Sequence, residues 1–426
     1  MHLIFDAIGD LLKVLLSAVL LFWTFPALAF EEKPLKESAG PNRTISCVLR
    51  STADDDAASV RANALIAHHC DTLVSENGMK LHHLIEQPKS RTETADDKSV
   101  CDGHSLPPFN LTEAGKAWDF AYRQEPDMLV HYHAVIWPGK GDDADCILSD
   151  PKLLDEYLIW VAKRVDQKRQ HIASIDLFNE IFVKFSPLTE NGNKDPWLAL
   201  STDREDYSHP DIFGQLFHPS IPGTTPEGQI QWLVEVVDAL RAKLDCAERA
   251  CPPLLLNEDL LSAPYKRSAR KRQAILGLLH VLEDAGAKLD GVGLQAHLFA
   301  KDGIDADGLS KFATDLGESY ELHVSELDMS SISYLADSAG ELEKVHAKHV
   351  GDFLEALLPH ANVVRLGFWG LSDGQHVSRS EFSPPGIKDP TSTATLYNDE
   401  LETKYVFEFV EQKLVAHRLN PPKVQR

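Results

Sequence analysis

The segment SIDLFNEIF, residues 174–182, runs apolar as far as Phe178 and then sets an amide beside a carboxylate, Asn179 and Glu180. Burying such a pair at the end of an apolar strand is costly unless both groups find partners. Far downstream, LHVSELDM carries Glu326 and Asp328 two residues apart, which places them on one face of a strand. Two carboxylates held across a sugar-sized gap are what glycosidic bond cleavage needs. One must carry a proton near neutral pH and the other must be ionised. Glu180 is expected to be the acid, with burial and the opposing negative charge keeping its proton on. Glu326 is expected to be the nucleophile. His297 would hold it ionised by hydrogen bonding, and Asp328 would orient that imidazole. Asn179 would donate an amide hydrogen bond to the sugar hydroxyl beside the reacting carbon.

These groups can meet only if the fold gathers distant segments. Eight short apolar runs qualify as strands: 44–50, 72–80, 129–137, 174–180, 253–259, 290–298, 322–329 and 363–371. Most are apolar nearly throughout, as strands covered on both faces should be. Helical patterns separate them, at roughly 56–69, 110–124, 151–168, from 226, and at 265–286, 307–318, 337–358 and 400–417. Asp150–Pro151 and Thr225–Pro226 read as N-cap and first-turn pairs. After the second pair, Leu233, Val236, Val237, Leu240 and Leu244 recur at helical spacing. Eight strands, each followed by a helix, predict an α/β fold: a (β/α)8 TIM barrel, single domain with loop insertions. Residues 190–222 lack periodicity and read as one long loop.

In such a barrel the active site forms at the C-terminal strand ends. Polar residues sit there: Glu76, Asn77 and Lys80; His133 and Trp137; Asn179 and Glu180; Asn257 and Glu258; Gln295 and His297; Glu326 and Asp328; then Trp369. One polar strand end is an ordinary cap or buried network. Seven converging on one mouth are much harder to explain structurally.

The chain has 426 residues, a formal net charge of −23 and a pI near 5.2. That balance repels nucleic acid and anionic membranes and leaves a neutral or cationic partner. The apolar run 14–23 behind Lys13, with Ala27 and Ala29 after it, reads as a signal peptide over 1–29. Residues 30–426 would then be the exported catalytic barrel, secreted or periplasmic. Six cysteines suit disulfides in that setting, with Cys246 and Cys251 close enough to form a local pair. No thiolate spacing for zinc occurs. A metal-dependent hydrolase built on His131, His133, His297, His323 and Asp373 is an alternative; a carbohydrate-binding barrel without turnover is another.

At these residues the sequence resembles glycoside hydrolase family 10, the retaining endo-xylanases. SENGMK resembles that family's Thr-x-Glu-Asn-x-Met-Lys segment, and HYHAVIW its Arg-Gly-His-x-x-x-Trp segment. DLFNE resembles its Asp-Val-Val-Asn-Glu strand, and GVGLQAHL its Gly-Ile-Gly-x-Gln-x-His-Leu strand. HVSELDM resembles the nucleophile strand, FWGLSD the Val-Trp-Gly segment, and ATLYNDELETKY the closing Leu-Phe-Asp stretch. The resemblance implies double displacement on β-1,4-linked polysaccharide, foremost xylan, by Glu180 and Glu326. Glu76, Asn77 and Lys80 would bind the non-reducing side. Trp137 and Trp369 would lie under sugar rings, with His133, Asn179, Gln295 and His297 completing the substrate contacts. A monomer with no cofactor and no metal is expected. The sequence departs from the family at Leu81, at Pro138, at Asn257-Glu258-Asp259-Leu260, and at His376 and Val377, where a second Trp should close over the reacting sugar. Those departures leave another β-linked glycan, glucan or mixed-linkage, as the alternative substrate.

Overall fold

The structure is a computed structural model and describes residues 30–50, 57–85, 105–124, 128–183, 213, 216–331, 338–375 and 394–419. The expected signal segment 1–29, most of the 190–222 loop, and His376 and Val377 lie outside the described residues. The barrel and its helices belong to one compact unit, Pro34–Arg426.

Among the described residues, nine strands form one sheet: β1 (Thr44–Leu49), β2 (Thr72–Ser75), β3 (Leu129–Tyr132), β4 (Ile172–Asn179), β5 (Leu254–Glu258), β6 (Gly291–Leu294), β7 (His297–Phe299), β8 (Glu321–Ser330) and β9 (Val363–Phe368). Every neighbouring pair is parallel. β1 pairs with both β2 and β9, and β6 pairs with β8, so the sheet closes into a barrel. Closure removes both edges, and the outer helices cover the other face; hence the unbroken apolar runs. β7 is the continuation of the sixth run. Ala296, at φ 61°, breaks the expected strand 290–298 in two. β7 then pairs only with the upper end of β8, setting His297 opposite Asp328.

The helices fall where the periodicity placed them. Asp150 caps Pro151–Gln167 by accepting from the amides of Lys152 and Leu153, and Thr225 caps Pro226–Lys243 through Gly228. Such caps contribute about 1 kcal/mol each. Leu233, Val236, Val237, Leu240 and Leu244 are buried against the barrel. The short helices Leu35–Ala39, Leu81–Leu84 and Asp142–Ser149 were not legible in the pattern. Cys246 and Cys251 pair as expected, and a second disulfide joins Cys47 on β1 to Cys70 just before β2. Cys146 is also disulfide-bonded, while Cys101 lies outside the described residues.

Several strands are shorter than expected. β2 stops at Ser75, β3 at Tyr132 and β9 at Phe368. Glu76, Asn77, Lys80, His133, Trp137 and Trp369 therefore ride on the loops that leave the barrel top, not on the strands themselves.

Candidate active site

Glu326 lies in the middle of β8 and is almost fully buried. Its Oε1 accepts from Asn257 Nδ2 at 2.7 Å, and its Oε2 lies 3.3 Å from His297 Nε2. His297 Nδ1 meets Asp328 Oδ1 at 2.8 Å. Burial disfavours a charge on His297, but the Asp328 carboxylate outweighs it and raises the imidazole well above its ordinary value. The imidazolium then donates through both nitrogens. Burial likewise pushes Glu326 up. The His297 hydrogen bond and the charges of His133, His297 and Lys80 more than reverse this, so Glu326 lies below the ordinary glutamate value. An ionised carboxylate held in this way has the charge state that a nucleophile requires.

Glu180 follows the last residue of β4. Its backbone is in the left-handed region, φ 50°, which turns the side chain over the barrel mouth. Trp137 Nε1 donates to its Oε2 at 3.2 Å, and Gln295 Nε2 reaches its Oε1 at 3.3 Å. Asn179 sits one residue earlier, fully buried. Its oxygen accepts from Asn257 Nδ2 at 2.9 Å and from Gln295 Nε2 at 3.4 Å. Its own nitrogen has no hydrogen-bond partner among the described residues. Asn257 thus ties the end of β4 to Glu326, and Ser325 donates to its oxygen at 2.7 Å to fix its orientation. Asn257 needs room to do this: a Cβ on Gly293 would stand 2.2 Å from Asn257 Oδ1, so the neighbouring strand carries glycine there.

The loop after β2 closes one side. Lys80 Nζ donates to Asn77 Oδ1 at 3.2 Å and stands 4.7 Å from the Trp137 ring centre and 5.5 Å from that of Trp369. Burial lowers the Lys80 ammonium from its ordinary value, against the pull of Glu326, Glu76 and Glu180. Glu76 lies 3.7 Å from Arg50. Trp369 packs on Val48 and Val74 and faces His133 and His297 edge-on. Trp137 is crowded: Lys140 Nζ stands 3.7 Å over its ring and His82 meets it edge-on.

A charged layer lies beneath. His133 Nδ1 and His131 Nε2 both meet Asp176 Oδ2, at 2.7 and 2.8 Å, and His133 Nε2 is 4.0 Å from Glu326. His131 Nδ1 bonds Ser174, which also accepts from Arg365 on β9 at 2.9 Å. Burial opposes the charge on Asp176, yet the two histidines hold it below the ordinary carboxylate range. Burial drives His131 down to about 4, and Arg365 down to about 10. His131 therefore faces the barrel interior rather than lying apart from the site.

The metal-hydrolase set is not brought together. His323 pairs with Glu321 at 2.8 Å. Asp373 accepts from the Ala394 and Thr395 amides and from Lys404, at 2.7–2.9 Å. His297 belongs to Glu326 and Asp328. His131, His133 and Asp176 do offer ligand atoms within 4.8 Å of one another. Those atoms already bond each other, and the Arg365 guanidinium 3.4 Å from His131 opposes a cation there. Every expected site residue otherwise surrounds one mouth. Asn257 was marked as a strand end but given no role. Asp176 and Arg365 carried no signal beyond being charged residues inside apolar strands.

The model of glycosyl hydrolase family 10 matches residues 35–202 and 245–413, most of the chain. The chain belongs to that family. Among curated proteins it is similar to endo-1,4-beta-xylanase A of Thermotoga neapolitana, 22% identical over 327 residues, covering 73% of this chain and 25% of that one. It is also similar to endo-1,4-beta-xylanase A of Thermoanaerobacterium saccharolyticum, 23% identical over 327 residues, with 72% and 22% covered. The chain thus spans about a quarter of the length of these relatives. Among solved structures, xylanase 10B from Thermotoga petrophila RKU-1 in complex with xylobiose superposes with a TM-score of 0.64 at 16% identity, covering 92% of this chain and 99% of that one. Native xylanase 10B from Thermotoga maritima gives 0.64 at 15%, with 91% and 99% covered. At these identities the family 10 member and the solved structures share the fold.

Proposed function

We propose that this family 10 chain is a retaining, endo-acting glycoside hydrolase that cleaves β-1,4-linked polysaccharide, with xylan as the substrate. One observation carries the reading: Asn257 and Gln295 tie the Asn179–Glu180 pair into a single hydrogen-bonded set that also holds Glu326. In the first step Glu326 attacks the anomeric carbon while Glu180 gives its proton to the leaving oxygen. In the second, Glu180 takes a proton from water, the water oxygen bonds to the anomeric carbon, and Glu326 departs as carboxylate. Asn179 offers its unpartnered nitrogen to the neighbouring hydroxyl. Trp137 and Trp369 form the apolar walls, and Glu76, Asn77 and Lys80 hold the non-reducing side. The same machinery on another β-linked glycan is the second reading. It is favoured by the Lys140 ammonium over Trp137, which narrows that platform, and by His376 and Val377 in place of a closing Trp.

We further infer that residues 1–29 direct export and that 30–426 act outside the cytoplasm as a monomer; the disulfides support export. Product analysis on xylans, glucans and mixed-linkage glycans tests the substrate. Glu326→Ala is expected to abolish turnover on all of them. Glu180→Ala is expected to lose about 100-fold or more in kcat/KM on polysaccharide while sparing kcat/KM for substrates whose leaving group needs no proton. Equal loss on both kinds of substrate would remove Glu180 from the acid/base role.

A further inference from the structure

β5 ends on Asn257 and Glu258, and the second has no part in the chemistry above. Glu258 is fully buried. Its Oε1 accepts from the backbone amides of Ile181 at 2.8 Å and Phe182 at 3.3 Å, the two residues that follow Glu180. Its Oε2 lies 2.6 Å from the ammonium of Lys271, which is itself buried on the helix Lys266–Asp284 and meets Asp259 at 2.5 Å. Burial pushes the Glu258 carboxyl up to about 7, Asp259 and Glu180 add to that, and Lys271 opposes it.

Glu180 occupies the left-handed region without being glycine, which crowds its Cβ against the following carbonyl. Such a conformation persists only where the surroundings over-determine it. The surroundings here are specific. The Glu180 amide donates to Asn257 O at 3.0 Å, Val183 N to Leu216 O at 2.7 Å, and His218 N to Ile181 O at 2.7 Å. Phe182 stacks on Phe217. Between these main-chain fasteners, the amides of Ile181 and Phe182 end on a side chain.

We propose that Glu258, itself held by Lys271, is a positioning residue for the acid/base step: by capturing the Ile181 and Phe182 amides it fixes the turn that aims the Glu180 carboxyl at the leaving-group oxygen. The inference rests on Glu180 being the acid/base. The role needs an acceptor at Oε1 and does not need a charge there.

Two double variants separate acceptor from charge. E258Q/K271M removes both buried charges and keeps a carbonyl acceptor. E258L/K271M removes the charges and the acceptor, and an apolar pair of similar size replaces a buried ion pair without loss of fold in many proteins. Each is assayed on xylan and on a dinitrophenyl β-xylobioside, with thermal melting as the check on folding. E258L/K271M is expected to lose about 10- to 100-fold in kcat/KM on xylan and less than about threefold in kcat/KM on the activated glycoside, since kcat/KM reports only the steps through glycosylation, where that glycoside needs no proton. E258Q/K271M is expected to stay within about threefold of the native protein on both. Equal losses in the two variants, or an equal loss on the two substrates, would overturn the proposal. Should E258L/K271M melt out, Glu258→Asp decides: it keeps the charge, withdraws the oxygen by one methylene, and must show the same split. Glu180→Ala run alongside keeps the failures apart. A split in Glu180→Ala without one in E258L/K271M defeats the positioning role alone. No split in Glu180→Ala defeats the acid/base reading itself.

Discussion

The nitrogen of Asn179 is buried without a partner among the described residues, while its oxygen is taken twice, by Asn257 and Gln295. That leaves a fixed donor aimed at one place, and a donor to the hydroxyl beside the reacting carbon strengthens in the transition state. Asn179→Ala is expected to lower kcat by about 100-fold with little change in KM. A 2-deoxy substrate should show the same loss with the native protein and no further loss with the variant. Glu326 and His297 make a second residue-scale case. Glu326 is held below its ordinary value chiefly by the His297 imidazolium, against burial. Since the nucleophile must be ionised, the acid limb of kcat/KM marks its protonation. Replacing His297 with Asn removes the charge, lets burial dominate, and should move that limb to higher pH; an unmoved limb would remove His297 from this role. The residue types and their order were legible in the sequence because carboxylates and amides at apolar strand ends are expensive without a use. Asp176, Arg365 and the Glu258 contact were not. Their meaning depends on partners far away in the chain, such as Ile181 and Phe182 for Glu258 and Ser174 for Arg365.

The strand and helix order was readable because parallel strands covered on both faces leave unbroken apolar runs, and Asp150–Pro151 and Thr225–Pro226 mark helix starts. Strand ends were not readable. SENGMK is apolar enough at Met79 to look like a continuation of β2, yet its backbone turns at Glu76 to bring Lys80 back across the mouth. The split at Ala296 has no sequence signature either, since a left-handed alanine is dictated by the surrounding barrel. The disulfides give a prediction at this scale. Cys47–Cys70 closes a separation of 23 residues and clamps β1 to the entry of β2, whereas Cys246–Cys251 closes only five. Chain entropy alone gives about 3 kcal/mol for the longer loop and about 2 kcal/mol for the shorter. The Cys47–Cys70 sulfurs are also buried in the core. Removing that pair by C47A/C70A should lower Tm more than C246A/C251A, as scanning calorimetry would show; the reverse order would mean the outer loop, not the barrel seam, limits stability.

On the scale of the whole molecule, the net charge of −23 surrounds a mouth where Lys80, Lys140 and His297 stand beside Glu180 and Glu326. Such a field repels polyanions and leaves neutral chains unaffected, and salt screens it over about 10 Å at 0.1 M. Hydrolysis of a neutral xylan should therefore be nearly independent of salt between low and moderate ionic strength, while a heavily carboxylated glycan should gain kcat/KM as salt rises. A fall for the carboxylated glycan would show that the local lysines outweigh the global charge. The larger consequence of barrel closure is that β4 and β8, distant in sequence, bring Glu180 and Glu326 into one hydrogen-bonded set at the barrel mouth. The most direct test traps the covalent intermediate with a 2-deoxy-2-fluoro β-xylobioside bearing a good leaving group, followed by peptide mass spectrometry. Glu326 should carry the fluorosugar in stoichiometric amount, in the native protein and in Glu180→Ala alike. A label on any other residue, or turnover with no label at all, would contradict the account.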